Sequence, residues 1–441
     1  MKIALVEPRP PFNTYYFFKK LPLLGGLFLG AILKEVGHEV RVFKEDFGPV
    51  LREKNGWLHP YLAAADAVGI TAITHTANRA YRIADAVRAA SPRTRIIMGG
   101  AHPSALPDEA LQHADQVVTG EGESVVRDVF EGRRRERIVP GPRVDIDTVP
   151  MVDLSLLQGV RARRGKPDLP IAPMMASRGC PYDCVFCSVT KMFGRRYRVR
   201  NSDLVLEEVL RRHGEGFRWG FFYDDNFAAS PEKTKIFLEK LIRADIDFSW
   251  NSQFSVHVAR DRELLRLLKR AGCARLFIGV ESFNPAALRD YGKSQTVEVV
   301  RSSIETIISE GLAVHSMFIL GADSDDEDAI DTTIRFSRES GSRTAQFSIL
   351  FPIPGTELYT RMVEQKRILV DTWDYFDGSH AVLRPRLISP YRLQQKLIHA
   401  YKYFYGARPL HWLVSRVGFL LWKAGNRGYL RFLRGFSKNS L

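Results

Sequence analysis

The chain has four cysteines, and three of them, Cys180, Cys184 and Cys187, fall within eight residues of the segment SRGCPYDCVFCSVT. This C-x3-C-x2-C spacing puts three thiolates on one short loop. Such a loop can hold three irons of a cubane cluster and leave the fourth iron without a protein ligand. A closed structural zinc site needs four ligands, and nothing nearby completes one, because His213 and Cys273 are distant and fall in stretches with helical spacing. Disulfide frameworks belong to smaller, cysteine-richer secreted chains, so clustered thiols here point to a metal or redox centre. Cys273 follows the helical stretch DRELLRLLKRAG and reads as a small buried hydrophobe.

The elements that must position these cysteines are legible as two alternating series. In the first, residues 2–8, 38–43, 67–72, 95–100 and 116–123 read as strands, and 23–37, 78–90, 108–114 and 124–132 as helices. That alternation predicts an α/β fold with a doubly wound, Rossmann-like parallel sheet, which takes its ligand at the carboxyl ends of its strands. From 133 to about 173 the composition shifts to RRRER and six prolines, which reads as a linker over the surface. A second series then gives strands at 174–180, 219–226, 247–255, 275–282, 313–321 and 344–355, separated by helical stretches. Several of those helices begin at Asp or Ser and end at Gly. Six such units fit a partial (β/α)6 barrel of the TIM type, with its active face at the C-terminal strand ends. The expected boundaries are a first domain over 1–135, a linker over 136–170, a core over 171–375 and a basic helical tail over 376–441.

The chain's 441 residues, 45% hydrophobic and 26% charged, suit two or three globular domains and exclude a disordered or fibrous chain. No run of about 18 apolar residues occurs, which excludes an ordinary membrane-spanning helix. Met1 and Lys2 lead straight into a strand-like stretch in place of a signal leader, so a cytoplasmic protein is expected.

The cysteine spacing, with the aromatic Phe186 before the third Cys, resembles the hallmark of the radical S-adenosylmethionine (radical SAM) enzymes, and the resemblance covers roughly residues 170–375. It implies a 4Fe-4S cluster whose open iron is chelated by SAM, and electron transfer that cleaves SAM to a 5′-deoxyadenosyl radical. Cluster and cofactor then carry the chemistry, while the protein orients them and excludes solvent. The resemblance also implies roles for particular residues. Tyr223, Asp224, Asp225 and Asn226 stand where the family often has a Gly-Gly-Glu-like motif that meets the SAM amino group. Glu281, in GVES, is similar to the family's ribose-binding acid, and MFILG looks like the motif that flanks adenine. Gln253 and Ser255 end the third strand of the series and face the same mouth. The alternative for each is an ordinary solvated or capping polar residue.

An α/β domain before such a core is similar to the family's cobalamin-binding (B12-binding) subclass, on LPLLGGLFLGAILKEVGHEV, GITAITHTANRA, MGGAHPSALPDEAL and ADQVVTGEGE. Each glycine cluster ends a predicted strand, where backbone must approach a large flat ligand closely. Thr71, Thr74, Gly99, Gly100, His102, Gly120 and Glu121 are thereby expected around the corrin and its nucleotide tail. The D-x-H-x-x-G signature that supplies a cobalt histidine in many cobalamin proteins is absent, and His75 and His102 read as polar loop residues. The implied activity is that of a C-methyltransferase on an unactivated carbon: one SAM methylates cobalamin, a second supplies the radical that abstracts hydrogen, and the substrate radical takes the methyl group from methylcobalamin. A radical cyclase, oxidase or carbon–carbon coupling enzyme acting on a lipid or tetrapyrrole is the runner-up, and a zinc-bound scaffold without activity comes third. The implied partners are a small-molecule or lipid-like substrate and an electron donor such as flavodoxin or ferredoxin.

The stretch 352–385, with Pro-x-Pro-Gly-Thr and Trp-Asp-x-Tyr, is also similar to this subclass, and its aromatics are expected to line the substrate end of the barrel. Beyond it the charge is lopsided. Residues 378–441 hold twelve Lys or Arg and no Asp or Glu, while residues 1–377 hold the other 52 basic and all 50 acidic residues, so only +2 of the net +14 lies there. Within 411–441, Leu413, Val417, Leu420 and Leu421 share one helical face, and Arg416, Lys423 and Arg427 lie off it. That pattern fits peripheral contact with a membrane surface, or a helix packed on the barrel. No RNA-binding module is visible, and a nucleic-acid partner is not expected.

Overall fold

The computed structural model describes residues 1–12, 21–160, 162–163, 166–167, 169–406 and 426–436. Its N-terminal half is built on seven strands, β1 (Lys2–Glu7), β2 (Glu39–Lys44), β3 (Ala67–Thr71), β4 (Arg95–Gly99), β5 (Gln116–Gly120), β6 (Ile138–Gly141) and β7 (Leu157–Gln158). They pair in the order β6-β5-β4-β3-β1-β2-β7, every pair parallel. Helices such as α1 (Leu24–Glu35) and α2 (Ala77–Ala90) cover the faces. Strands buried on both faces must be continuously apolar, and the central residues Ile3, Ala4, Leu5 and Val6 of β1 are all buried. The strand order reverses between β1 and β3, so a crevice opens at their carboxyl ends.

The segment read as a linker is not draped over the surface. It adds β6 at one edge of the sheet and β7 at the other, and Pro140 sits in β6 because an edge strand has an N–H to spare. Its Val144, Ile146, Val149, Val152, Leu154 and Leu156 are buried in one apolar core that continues into the second sheet. These residues are scattered among polar ones and prolines, so no periodicity announced them.

The second sheet has six parallel strands in chain order: β8 (Ala172–Met174), β9 (Trp219–Phe222), β10 (Ser249–Phe254), β11 (Cys273–Glu281), β12 (Ala313–Leu320) and β13 (Thr344–Ile349). The helices between them are α3 (Ser202–Gly214), α4 (Pro231–Arg243), α5 (Arg262–Arg270), α6 (Val297–Ser309) and α7 (Glu327–Glu339). Asn201, Asp261, Thr296 and Asp326 cap four of these through side-chain oxygens that accept from backbone N–H groups. β8 is shorter than the sequence suggests. After Met174 the chain leaves the sheet, and Ser177–Arg178 pairs antiparallel with Arg198–Val199, so a small hairpin brackets the cysteine loop.

The sheet's last strand is closed off by a helix. In α8 (Pro390–Tyr405), the Tyr401 hydroxyl accepts from Phe347 N–H and donates to its C=O, at 3.2 and 3.0 Å, and Tyr405 does the same at Ala345, at 3.0 and 2.7 Å. Four residues of helix rise about 6 Å, close to the roughly 6.6 Å of two strand residues, so an i, i+4 tyrosine pair reaches alternate edge groups. Arg392 and Lys396 of α8 pair with Glu327 and Asp331 of α7, so this part of the tail is packed on the barrel. Residues 407–425, with Leu413, Val417, Leu420 and Leu421, lie outside the described residues; α9 (Arg427–Arg434) follows them. Among the described residues no helix is long and apolar enough to cross a membrane.

The Trp-Asp-x-Tyr stretch, expected to line the substrate end of the barrel, also reaches the other half of the molecule. It crosses to the first sheet, where Trp373 Nε1 donates to Glu109 at 2.7 Å and Asn78 Nδ2 donates to Thr372 Oγ1 at 2.7 Å and to Asp374 at 3.1 Å. A partly buried indole bonded through its N–H suits an interface.

Candidate functional site

The cysteine loop begins where Gly179 takes φ +89°, a conformation that favours glycine, and gives its N–H to Asp225 Oδ2 at 3.1 Å. Two outside backbone bonds then fix it: Val185 N–H donates to Tyr291 C=O at 3.2 Å, and Leu358 N–H to Val185 C=O at 3.0 Å. Phe186 packs edge-on against buried Tyr291, with ring centres 5.5 Å apart. All three thiols are free and partly exposed. Burial raises each of them, Cys187 to about 12. The half-buried ammonium of Lys293 faces Cys184 and opposes that rise, and it forms an ion pair with Glu281 at 2.8 Å. Cys273 is buried in β11, apart from the loop. Among the described residues no three His, Cys, Asp or Glu side chains close around a single ion. Three thiols spread along one loop beside a cation suit separate irons of a cubane, so the residues fit a cluster.

The strand ends behind the loop divide their work. Asp224 is fully buried, and its carboxylate accepts from Ala176 N–H at 3.0 Å and from the Ser177 hydroxyl, so it holds the turn before the cysteines. Burial pushes it up to about 7 and its neighbour Asp225 to about 6. Asn226 Oδ1 accepts from Ser255 N–H at 3.1 Å, and its side chain works against the burial that raises Cys180. Gln253 reaches the Asp224 carbonyl at 3.4 Å, and Ser255 caps the short helix after β10. Glu281 ends β11 at φ +63°, beside a register shift against β12. A non-glycine residue held there is strained, and such strain clusters at ligand sites.

Above these strand ends a cavity open to solvent runs between the two sheets. Leu5, Glu7, Thr71, Gly99, Gly100, Gly120 and Glu121 line it from the first sheet; Met175, Arg178, Met192, Phe193, Tyr223 and Asp225 line it from the second. A Cβ at Gly25, on its rim, would meet nothing within 4 Å. The opening thus lies between glycine-rich strand ends and the cysteine side, where backbone can approach a flat ligand closely. Two residues expected around such a ligand stand elsewhere. Thr74 is buried in a short helix outside the lining, and His102 is buried behind it, 4.9 Å edge-on to Trp373 and 3.6 Å from Glu109.

Glu121 also ties the halves together. It is 1% exposed and pairs with Arg178 at 3.1 Å and with both terminal nitrogens of Arg198, while Glu123 pairs with Arg178 at 2.8 Å. Burial alone would raise the Glu121 carboxyl, but hydrogen bonds from Arg198 and Val144 N–H and the charge of Arg178 outweigh it and hold the group below its ordinary range. Arg178, Arg198 and Lys293 were not singled out from the sequence. Isolated basic residues in loops carry no local pattern, and only their convergence on a carboxylate marks them.

Residues 174–337 match the Radical SAM superfamily and residues 20–130 the B12 binding domain. A bacteriochlorophyllide d C-12(1)-methyltransferase of Chlorobaculum tepidum is 30% identical over 81% of this chain and 80% of its own. An anaerobic magnesium-protoporphyrin IX monomethyl ester cyclase of Rubrivivax gelatinosus is 25% identical over 86% and 72%. Among solved structures, the radical S-adenosylmethionine methyltransferase TsrM from Kitasatospora setae, with tryptophan substrate and a SAM analog bound, shares the fold at a TM-score of 0.65 and 20% identity, over 82% of this chain and 76% of that one.

Proposed function

The chain belongs to the radical SAM superfamily and carries a B12 binding domain beside its radical SAM core, and from that premise we propose that it is a cobalamin-dependent C-methyltransferase acting on an unactivated carbon. One observation carries the reading: a single cavity is walled by the carboxyl ends of both sheets, with Gly99 and Gly120 on one side and Tyr223 and Asp225 on the other. When bound, the cluster, SAM and cobalamin supply hydrogen-atom abstraction from carbon and transfer of a methyl group to it.

The chain's own residues bind, orient and shield. Cys180, Cys184 and Cys187 ligate three irons, and Phe186 fixes their loop by packing on Tyr291. The second oxygen of Asp225 accepts from the SAM amino group, Glu281 accepts from its ribose, and Lys293 offers its carboxylate a cation. Thr71, Gly99, Gly100, Gly120 and Glu121 frame the corrin, while Thr74 and His102 support that frame from behind. Asp224, Asn226, Gln253 and Ser255 hold the strand ends in place. The apolar wall of Met175, Met192 and Phe193 keeps water from the space between the cofactors. The substrate is a small or lipid-like molecule. An electron donor such as flavodoxin or ferredoxin approaches the loop over exposed Lys191, Arg195 and Arg196, and the setting is the cytoplasm.

The cyclase relative favours a second reading, a radical cyclisation, oxidation or coupling. Anaerobic reconstitution with iron, sulfide and cobalamin, followed by SAM and a reductant, separates the two. Methylation yields 5′-deoxyadenosine and S-adenosylhomocysteine together; the first without the second favours the cyclase class; neither product from a loaded enzyme rejects both.

A further inference from the structure

The basic C-terminal segment takes no part in the chemistry above, and its described portion forms a two-sided surface. The inward side of α9 is fixed: Tyr429 and Leu433 are buried, and the Tyr429 hydroxyl donates to Ala381 C=O at 3.0 Å. The outward side leaves Phe432 43% exposed among exposed Arg427, Arg431 and Arg434. Phe436 packs on Phe432, with ring centres 5.2 Å apart, and lies under the Arg384 guanidinium. That contact joins exposed Arg386 and Leu387, the latter 53% exposed, to the same patch.

Two observations say what covers this patch. The first is charge. Among the described residues no carboxylate pairs with Arg384, Arg427, Arg431 or Arg434. The acids of the nearest elements are already engaged, Glu327 and Asp331 by Arg392 and Lys396, and Asp323 by Arg367 and Arg386. The second is place. Asn426, at the head of α9, meets His380 Nε2 at 2.9 Å, and Gly378 C=O accepts from Ile349 N–H at the carboxyl end of β13. The patch therefore flanks the mouth of the barrel. Unpaired guanidiniums around an exposed Phe and Leu complement lipid phosphates with acyl chains beneath them.

We propose that this surface docks the barrel mouth on anionic lipid bilayers. Docking of this kind does not depend on which reaction the site performs, so its failure and that of the methyltransferase reading are separate outcomes. The full chain is floated with phosphatidylcholine vesicles with or without phosphatidylglycerol. The expected result is flotation only with the anionic lipid, lost at high salt. Arg427→Gln, Arg431→Gln and Arg434→Gln together weaken it on the order of 100-fold, at about 1 kcal/mol per basic residue. Phe432→Ser with Leu387→Ser weakens it at unchanged charge, and neither variant changes iron content on reconstitution. Equal flotation on both vesicle types, unchanged flotation of the variants, or binding of RNA with no flotation would overturn the proposal.

Discussion

Replacing Glu121 with Gln tests whether the two halves are held by a buried charge cluster. Gln keeps the shape and one acceptor oxygen but leaves Arg198 and Arg178, 12% and 7% exposed, without the carboxylate they share. Breaking a buried pair in this way costs about 3–5 kcal/mol. Arg178 retains Glu123 at 2.8 Å, and Arg198 retains the Val144 carbonyl at 2.7 Å, so the lower end, about 3 kcal/mol, is expected. Glu123→Gln should cost less, because Arg178 then keeps Glu121. The effect also has a sign with pH. The folded-state pKa of Glu121 lies below its ordinary value, so its contribution is complete above that ordinary value and is lost as pH falls through the lowered one. The gap between wild type and Glu121→Gln should therefore be widest near neutral pH and shrink below about pH 4.3. Urea unfolding followed by tryptophan fluorescence, at several pH values, measures it. A neutral-pH difference under about 1 kcal/mol, or a gap that stays constant into acid, refutes the reasoning.

Three further outcomes are expected. Cys184→Ala abolishes SAM cleavage and lowers reconstituted iron, while Cys273→Ser, in the core of β11, leaves the cluster's absorption intact; the reverse pattern rejects the ligand set. At Gly99 a Cβ meets nothing nearer than the Val118 carbonyl at 3.5 Å, so Gly99→Leu folds but intrudes on the cavity, and cobalamin retained after gel filtration should fall at least tenfold. Tyr401→Phe and Tyr405→Phe each leave an edge N–H and C=O of β13 without a partner, at a cost of about 1–2 kcal/mol apiece in denaturant midpoints, with SAM binding unchanged.

Much of this protein was legible because its signals are local. The cysteine triplet needs only one loop, and apolar runs bounded by Asp, Ser and Gly mark parallel strands and capped helices, so the six strands of the second sheet and five of the seven in the first follow from sequence. Gly99 and Gly120, which line the cavity, were legible for the same reason, each ending a strand. Residues whose role comes from meeting a distant partner were not. Thr74 and His102 sit in the same loops as the cavity residues, yet backbone direction turns them away, and Trp373 finds Glu109 across 264 residues of chain. Composition likewise gave 136–170 as a linker, while packing made it two edge strands and part of the shared core. The sequence alone determined which groups are chemically capable, three thiols and glycine-ended strands. The tertiary structure alone decided which charges face one another, Glu121 with Arg178 and Arg198 and Glu281 with Lys293, because an ion pair depends on distance and burial, neither of which any local pattern encodes.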